Sequence, residues 1–251
     1  MKKIIALMLV LCMAFAFVAC AGTKDNADDT TVADTTVADT TVADAEDEVK
    51  VMTYAEYAAA ELDAKVVIEA YVQATQSWWD NKITVYAQDK DGAYFIYELA
   101  CAEEDAAKLV AGQKIRVTGN KAEWSGEVEI VDATFELIED ADAFVAEPLD
   151  VTDLLGKDEL IDHQNKLVSF KGLTVEEIEF KNDGGDDIYL TLGLDGNSYN
   201  FCVEVYLTGT ETETYITASE LVAGDVIDVE AYLYWYQGSN PHITKIAVVE
   251  G

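Results

Sequence analysis

Two short stretches hold three of the four tryptophans in this 251-residue chain: Ser77-Trp78-Trp79-Asp80 and Glu123-Trp124-Ser125-Gly126. A third aromatic stretch, Tyr234-Trp235-Tyr236, lies just before Asn240 and His242, and Tyr71 shares one face of a strand with Glu69 and Gln73. Flat rings beside Asp, Asn and Gln suit recognition by stacking. The rings hold a sugar face, an aromatic side chain or a base, and the polar neighbours orient it. Tyr71, Trp78, Trp79, Trp124, Tyr234, Trp235 and Tyr236 are therefore the candidate ligand contacts. The competing role for the same rings is to seal the ends of a small core, and it weighs most on Trp124, whose counterpart Tyr236 recurs in the second half. Trp78 and Trp79 are adjacent, so in extended chain one points inward and the other outward.

Catalytic patterns are missing. The chain has no Gly-Lys-Ser/Thr phosphate loop, no Gly-x-Ser-x-Gly and no His-Glu-x-x-His, which points away from an enzyme. Its two histidines, His163 and His242, and its four cysteines show no metal-ligand spacing, so neither a metal nor a cofactor is expected. Asp89-Lys90-Asp91-Gly92 and Asn182–Asp187 are acidic, but neither has a calcium-loop pattern, and both read as turns. Cys101 and Cys202 do not occupy matching places and are expected as free buried thiols.

The elements that position these residues come in two copies. Leu109-Val110-Ala111-Gly112-Gln113-Lys114-Ile115-Arg116-Val117 returns as Leu221-Val222-Ala223-Gly224-Asp225-Val226-Ile227-Asp228-Val229. Asp91-Gly92 matches Asp195-Gly196, and Trp124-Ser125-Gly126 matches Tyr236-Gln237-Gly238. In the first copy, Thr53-Tyr54-Ala55-Glu56 predicts a capped helix. Alternation then predicts strands over 65–73, 83–88 and 93–99, with Gly92 at positive φ in the hairpin between the last two. A helix over 103–111 and strands over 113–120 and 128–137 complete the copy. The second copy predicts strands over 167–175, 188–194 and 199–207, a helix opened by Thr217-Ala218-Ser219-Glu220, and strands over 225–232 and 243–249.

Three strands, a helix and two strands is the layout of the OB-fold. The run Val110-Ala111-Gly112-Gln113-Lys114-Ile115-Arg116-Val117, followed by Trp124-Ser125-Gly126, resembles bacterial exported OB-fold domains and, more distantly, the anticodon-binding class. The expected fold class is all-β with short helices: two tandem five-stranded OB-fold barrels, over 51–146 and 147–251, after an N-terminal tether. In that fold a strand face bordered by the loops joining strands one to two and four to five binds the ligand.

The tether reads in two parts. Met1-Lys2-Lys3 followed by an uncharged apolar run predicts a secretory signal over 1–19. Phe17-Val18-Ala19-Cys20 resembles the lipobox of bacterial lipoproteins, which implies that Cys20 carries lipid and anchors the chain outside the cell membrane. Residues 20–50 then form a disordered linker built on Thr-Thr-Val-Ala-Asp, repeated at 30–34, 35–39 and 40–44.

Forty-nine acidic residues face 16 basic ones, a net charge of −33, and Arg116 is the single arginine. Phosphate neutralisation needs clustered Lys and Arg, so this balance makes nucleic acid an unlikely partner. The expected function is a non-enzymatic envelope lipoprotein that binds an extracellular oligosaccharide, peptide or protein. A structural or accessory part of an envelope assembly is the alternative, and single-stranded nucleic acid binding the remote one.

Overall fold

The computed structural model describes residues 50–249; the signal, Cys20 and the linker expected before them lie outside that range. The first helix, α1 (Tyr54–Ala59), starts where the sequence predicts. Thr53 Oγ1 accepts from the Glu56 amide, and the Glu56 carboxylate accepts from the Thr53 amide at 2.8 Å. Its other end is held from a distant strand, because Lys121 Nζ donates to the carbonyls of Tyr57, Ala58 and Ala60. A lysine there satisfies carbonyls that the helix leaves unpaired.

Strands β1 (Lys65–Thr75), β2 (Lys82–Gln88), β3 (Ala93–Ala100), β4 (Lys114–Trp124) and β5 (Glu127–Leu137) close into a barrel in the order β1-β2-β3-β5-β4. Pairing of β1 with β4 completes the ring, and β3 with β5 is its parallel pair. Alternation places Val66, Ile68, Ala70 and Val72 of β1 against Val85, Ile96, Ile115 and Ile130 in one core. The expected helix over 103–111 shrinks to α2 (Glu103–Ala106). Beyond it the amides of Lys108 and Leu109 bond three residues back, and the chain turns inward to bury Leu109.

After β6 (Leu149–Asp150), the second copy runs β7 (Leu167–Phe180), β8 (Ile188–Leu194), β9 (Asn197–Val203), α3 (Val205–Thr208), α4 (Glu213–Glu220), β10 (Val226–Tyr232) and β11 (His242–Val248). Its sheet order is β10-β11-β9-β8-β7-β6, and β10 also pairs with β7, so its five main strands join in the cyclic order of the first copy. The core is again one cluster, with Phe170, Leu173, Leu190, Phe201 and Ile227 at its centre.

Two expectations for this copy are corrected. The strand over 199–207 ends at Val203, because the Glu204 carbonyl accepts from the amides of Leu207 and Thr208 and turns the chain into α3. The following helix is capped by Thr212, whose hydroxyl accepts from the Tyr215 amide, so Thr217–Glu220 lies at its end. The upstream cap wins because it brings Tyr215 and Ala218, three apart, onto one buried face.

Gly92 is needed for a different reason from the one predicted. It does not have positive φ. The Tyr54 ring lies where a Cβ would stand, while Asp89 accepts from the amides of Asp91 and Gly92 to hold the turn. Gly92→Ala should therefore cost about 1–3 kcal/mol, the usual range for overpacking. Denaturant melts should show most of that cost disappearing in a Tyr54→Ala background; equal costs in both backgrounds would remove the ring from the explanation.

Candidate functional site

The outer side of β2 and β3, the ligand face of an OB-fold, carries Tyr86, Phe95 and Tyr97, which alternate with the core residues Val85, Tyr94 and Ile96. Two of these three rings are buried: Tyr86 is 0% and Phe95 3% exposed. The second barrel covers them. Tyr86 stacks on Tyr232 with centroids 4.4 Å apart, and Phe95 meets Tyr234 edge-on at 5.2 Å. Tyr234 stacks in turn on His242, whose Nδ1 lies 2.7 Å from the Tyr86 hydroxyl. Burial holds the His242 imidazole down to about 4, so the ring is neutral near pH 7 and Nδ1 is free to accept from Tyr86.

The two equivalent hairpin loops also meet. The Gln237 amide donates to the Ser125 carbonyl at 2.7 Å, and the Trp124 and Tyr236 rings stand 5.2 Å apart. Ser125 and Gly126 have positive φ, as do Gln237 and Gly238 in the other copy. A Cβ on Gly126 would run into the Trp235 indole. Beside them, Gln164 Nε2 donates to the Gly126 carbonyl, and the Trp235 amide donates to Glu127 Oε2 at 2.8 Å. Trp124, Tyr234, Trp235 and Tyr236 thus gather at the seam between the barrels. Tyr71 lies apart from them, packed on Phe144 beside Lys114 and lining a separate hollow with Asp89 and Lys90.

The tryptophan pair divides as adjacent residues do. Trp78 turns inward onto the first core and donates its indole N–H to the Cys101 carbonyl at 2.9 Å. Trp79 is 80% exposed. A tight turn holds it there: Trp79 and Lys82 exchange backbone bonds of 3.0 and 2.9 Å across Asp80 and Asn81, both at positive φ. Asp and Asn tolerate that conformation better than most residues.

Trp79 borders an open groove of about 650 Å³, lined also by Gln76, Trp78, Lys82, Tyr97 and Tyr206. Tyr206 comes from α3 of the second barrel and is 60% exposed. Its carbonyl accepts from the Ser77 amide at 2.7 Å, and Gln76 Nε2 donates to Glu204 at 2.9 Å. Sequence reasoning missed Tyr206 and Tyr97. Tyr97 was readable from the alternation of β3, but Tyr206 depends on a helical turn that the sequence presents as strand. Lys82 is paired with Glu98 at 2.5 Å, and Asp80 adds a carboxylate at the rim.

Cys101 and Cys202 are free and buried, and burial pushes both thiols above their ordinary value. Among the described residues no three His, Cys, Asp or Glu side chains are grouped to hold a metal ion. Lys181 bridges Asp186 and Asp187 in one of the acidic turns.

No protein-family model matches this sequence, and no curated protein matches it. Solved structures similar to it include a murine DNA binding protein bound with ds DNA, at 12% identity over 74% of this chain and 97% of that one, with a TM-score of 0.37. A replication protein A heterotrimer bound to ssDNA matches at 15% identity over 73% of this chain and 48% of that one, TM-score 0.30. Asparaginyl-tRNA synthetase from Pyrococcus horikoshii matches at 21% identity over 34% of this chain, TM-score 0.29, and this chain spans 19% of that enzyme.

Two expectations are corrected here. An extracellular oligosaccharide, peptide or protein as the ligand, and the setting aside of nucleic acid, run against neighbours that include proteins solved with double- or single-stranded DNA. The physical fault in the expectation is that a whole-chain charge of −33 counts every surface carboxylate. It does not describe one groove, whose lining combines Trp78, Trp79, Tyr97 and Tyr206 with Asp80, Lys82 and Glu98.

The four tryptophans should separate by accessibility. Trp79→Phe should remove the largest acrylamide-quenched part of the intrinsic fluorescence, and Trp78→Phe should leave it in place. Equal losses from the two variants would contradict the inward and outward assignment.

Proposed function

We propose that this chain is a non-catalytic binding protein whose seam groove seats an unpaired nucleobase, presented by a nucleoside or a short single strand. The observation that carries the reading is Trp79. A tight Asp80-Asn81 turn leaves that ring 80% exposed in a groove also lined by Tyr97 and Tyr206, on the edge of the face that OB-folds use for oligonucleotides. The turn fixes the backbone that carries the ring, so part of the ordering that stacking a base requires is already in place.

Charge then shapes the affinity. Lys82 is engaged by Glu98, and the chain carries −33 overall, so phosphates add nothing and repel. Binding should rest on one or two stacked bases, each worth about 1–3 kcal/mol. A second reading is favoured by the same carboxylates: Asp80 and Glu98 beside three rings also suit a planar organic cation.

We also place the chain outside the cell membrane, held by lipid on Cys20. Incorporation of an alkyne-tagged fatty acid, abolished by Cys20→Ser, tests that placement.

Titration of tryptophan fluorescence with adenosine, oligothymidylate and N-methylquinolinium separates the readings of the groove. Base binding should weaken about tenfold or more in Trp79→Ala, matching the loss of one stacked ring. Raising salt should leave oligothymidylate binding flat or stronger, the reverse of proteins that neutralise phosphates. Response to the quinolinium alone would favour the cation. Wild-type affinity for bases in Trp79→Ala would sink the groove.

A further inference from the structure

We infer that the two barrels are latched by carboxyl groups that must keep their protons. The latch closes the aromatic face of the first barrel, and losing those protons parts the seam and frees that face. Glu127 is the main bolt. It belongs to β5 of the first barrel, is 0% exposed, and accepts through Oε2 from the Trp235 amide and Gln164 Nε2 of the second barrel. Its Oε1 has no hydrogen-bond partner, and neither has Asn165 Oδ1. Asn165 stands beside the carboxyl and, like the Trp235 amide and Gln164, favours its charged form, but burial outweighs all three. A proton on Oε1 supplies the donor that both oxygens lack, whereas a bare carboxylate leaves them both unsatisfied.

The groups facing Glu127 offer no compensating cation. They are Glu129 on its own strand, Tyr57 of α1, Tyr86 of β2 and Tyr234 of the partner loop. Lys121, which lies over the Tyr57 ring, is committed to the α1 carbonyls.

Glu204 is a second bolt at the groove end of the seam. Gln76 of the first barrel donates to it, and Asp187, Tyr86 and Tyr234 face it. The amides of Tyr206 and Leu207 also reach its carboxyl and, with Gln76, favour its charged form; burial and then Asp187, itself paired with Lys181, outweigh them. Burial raises Glu127 to about 8 and Glu204 to about 7. His242, buried between Tyr86 and Tyr234 and faced by Asp187, sets the acid limit.

The sign follows from linkage. Both carboxyls hold protons more tightly in the folded chain than in the unfolded one. The stability they contribute is fully present below their ordinary value of 4.5 and is lost as pH rises through about 7 for Glu204 and about 8 for Glu127. His242 works in the opposite sense: its contribution is present above 6.5 and is lost as pH falls through about 4. The latch is therefore firmest between those limits, in mildly acidic solution.

Parting the seam removes Tyr206 from the groove and uncovers Tyr86 and Phe95, two further rings on the ligand face. That consequence for ligand binding rests on the function proposed above; the latch itself does not.

Small-angle scattering and calorimetric melting of the full chain, from about pH 6 to about pH 9, test the latch without any ligand. The wild type should expand and its Tm should fall across that range. Glu127→Gln with Glu204→Gln, which keeps the shape and removes the charge, should lose at least half of both responses. A Ser125→Cys/Gln237→Cys cross-link between the touching loops should abolish the expansion whether or not the glutamine variant folds. An unchanged pH response in either variant overturns the latch. Adenosine or oligothymidylate titrations at the two pH extremes then read the groove separately: a working latch with no binding at either pH would defeat the proposed function and leave the latch standing.

Discussion

The stack of Tyr86 on Tyr232, flanked by Phe95, Tyr234 and His242, is the contact on which the rest of this molecule depends. An outward strand face of a small barrel normally meets water. Here it carries large rings, and leaving them exposed would cost far more than any surface charge could offset. The second barrel takes the place of a ligand on that face. Residues 50–249 accordingly form one compact unit, although its two sheets have separate cores. Once those rings meet, the two hairpin loops are forced together, Gly126 has no room for a side chain, and Glu127 has no route to solvent.

Duplication explains why such a seam is available. Both copies build the same turn, with Ser125-Gly126 and Gln237-Gly238 in left-handed backbone, so their loops present matching profiles. What differs is what each copy puts on its outer face. β2 and β3 of the first offer Tyr86, Phe95 and Tyr97, whereas β8 and β9 of the second offer Tyr189, Thr191 and Asn200. The aromatic face is the one that is covered, and the polar one stays open beside Tyr236 and Asn240. The hydrophobic effect alone predicts that assignment.

Much of the fold was legible because barrel strands advertise themselves by alternation. Val66, Ile68, Ala70 and Val72 all reach the core, and the repeated Val-Ala-Gly run marks the entry to the fourth strand of each copy. Short helices were less legible, because several residues can serve as caps and only tertiary burial chooses among them. Thr212 and Thr217 both precede helix-compatible runs, and the burial of Tyr215 decides. The role of Gly92 was not legible, since its reason is a ring contributed by α1. The site was half legible. Adjacency alone separated Trp78 from Trp79, but nothing local reveals that Tyr234 faces Phe95 or that Tyr206 faces the tryptophan loop. Those facts are set between copies, where sequence periodicity carries no information.

The same distinction bears on charge. A composition of 49 acids and 16 bases describes a long-range field, and that field does oppose any polyanion at low salt. A field that reaches about 8 Å in physiological solution still leaves room for a contact made by rings at about 3.5–4 Å. Trp79 is where the two scales meet. Its ring stands in solvent while the cation lining the same groove, Lys82, is paired with Glu98, which leaves shape and polarisability as the means by which the proposed base is held. Net charge limits how many phosphates can follow a base into this groove. It does not decide whether the base itself can enter.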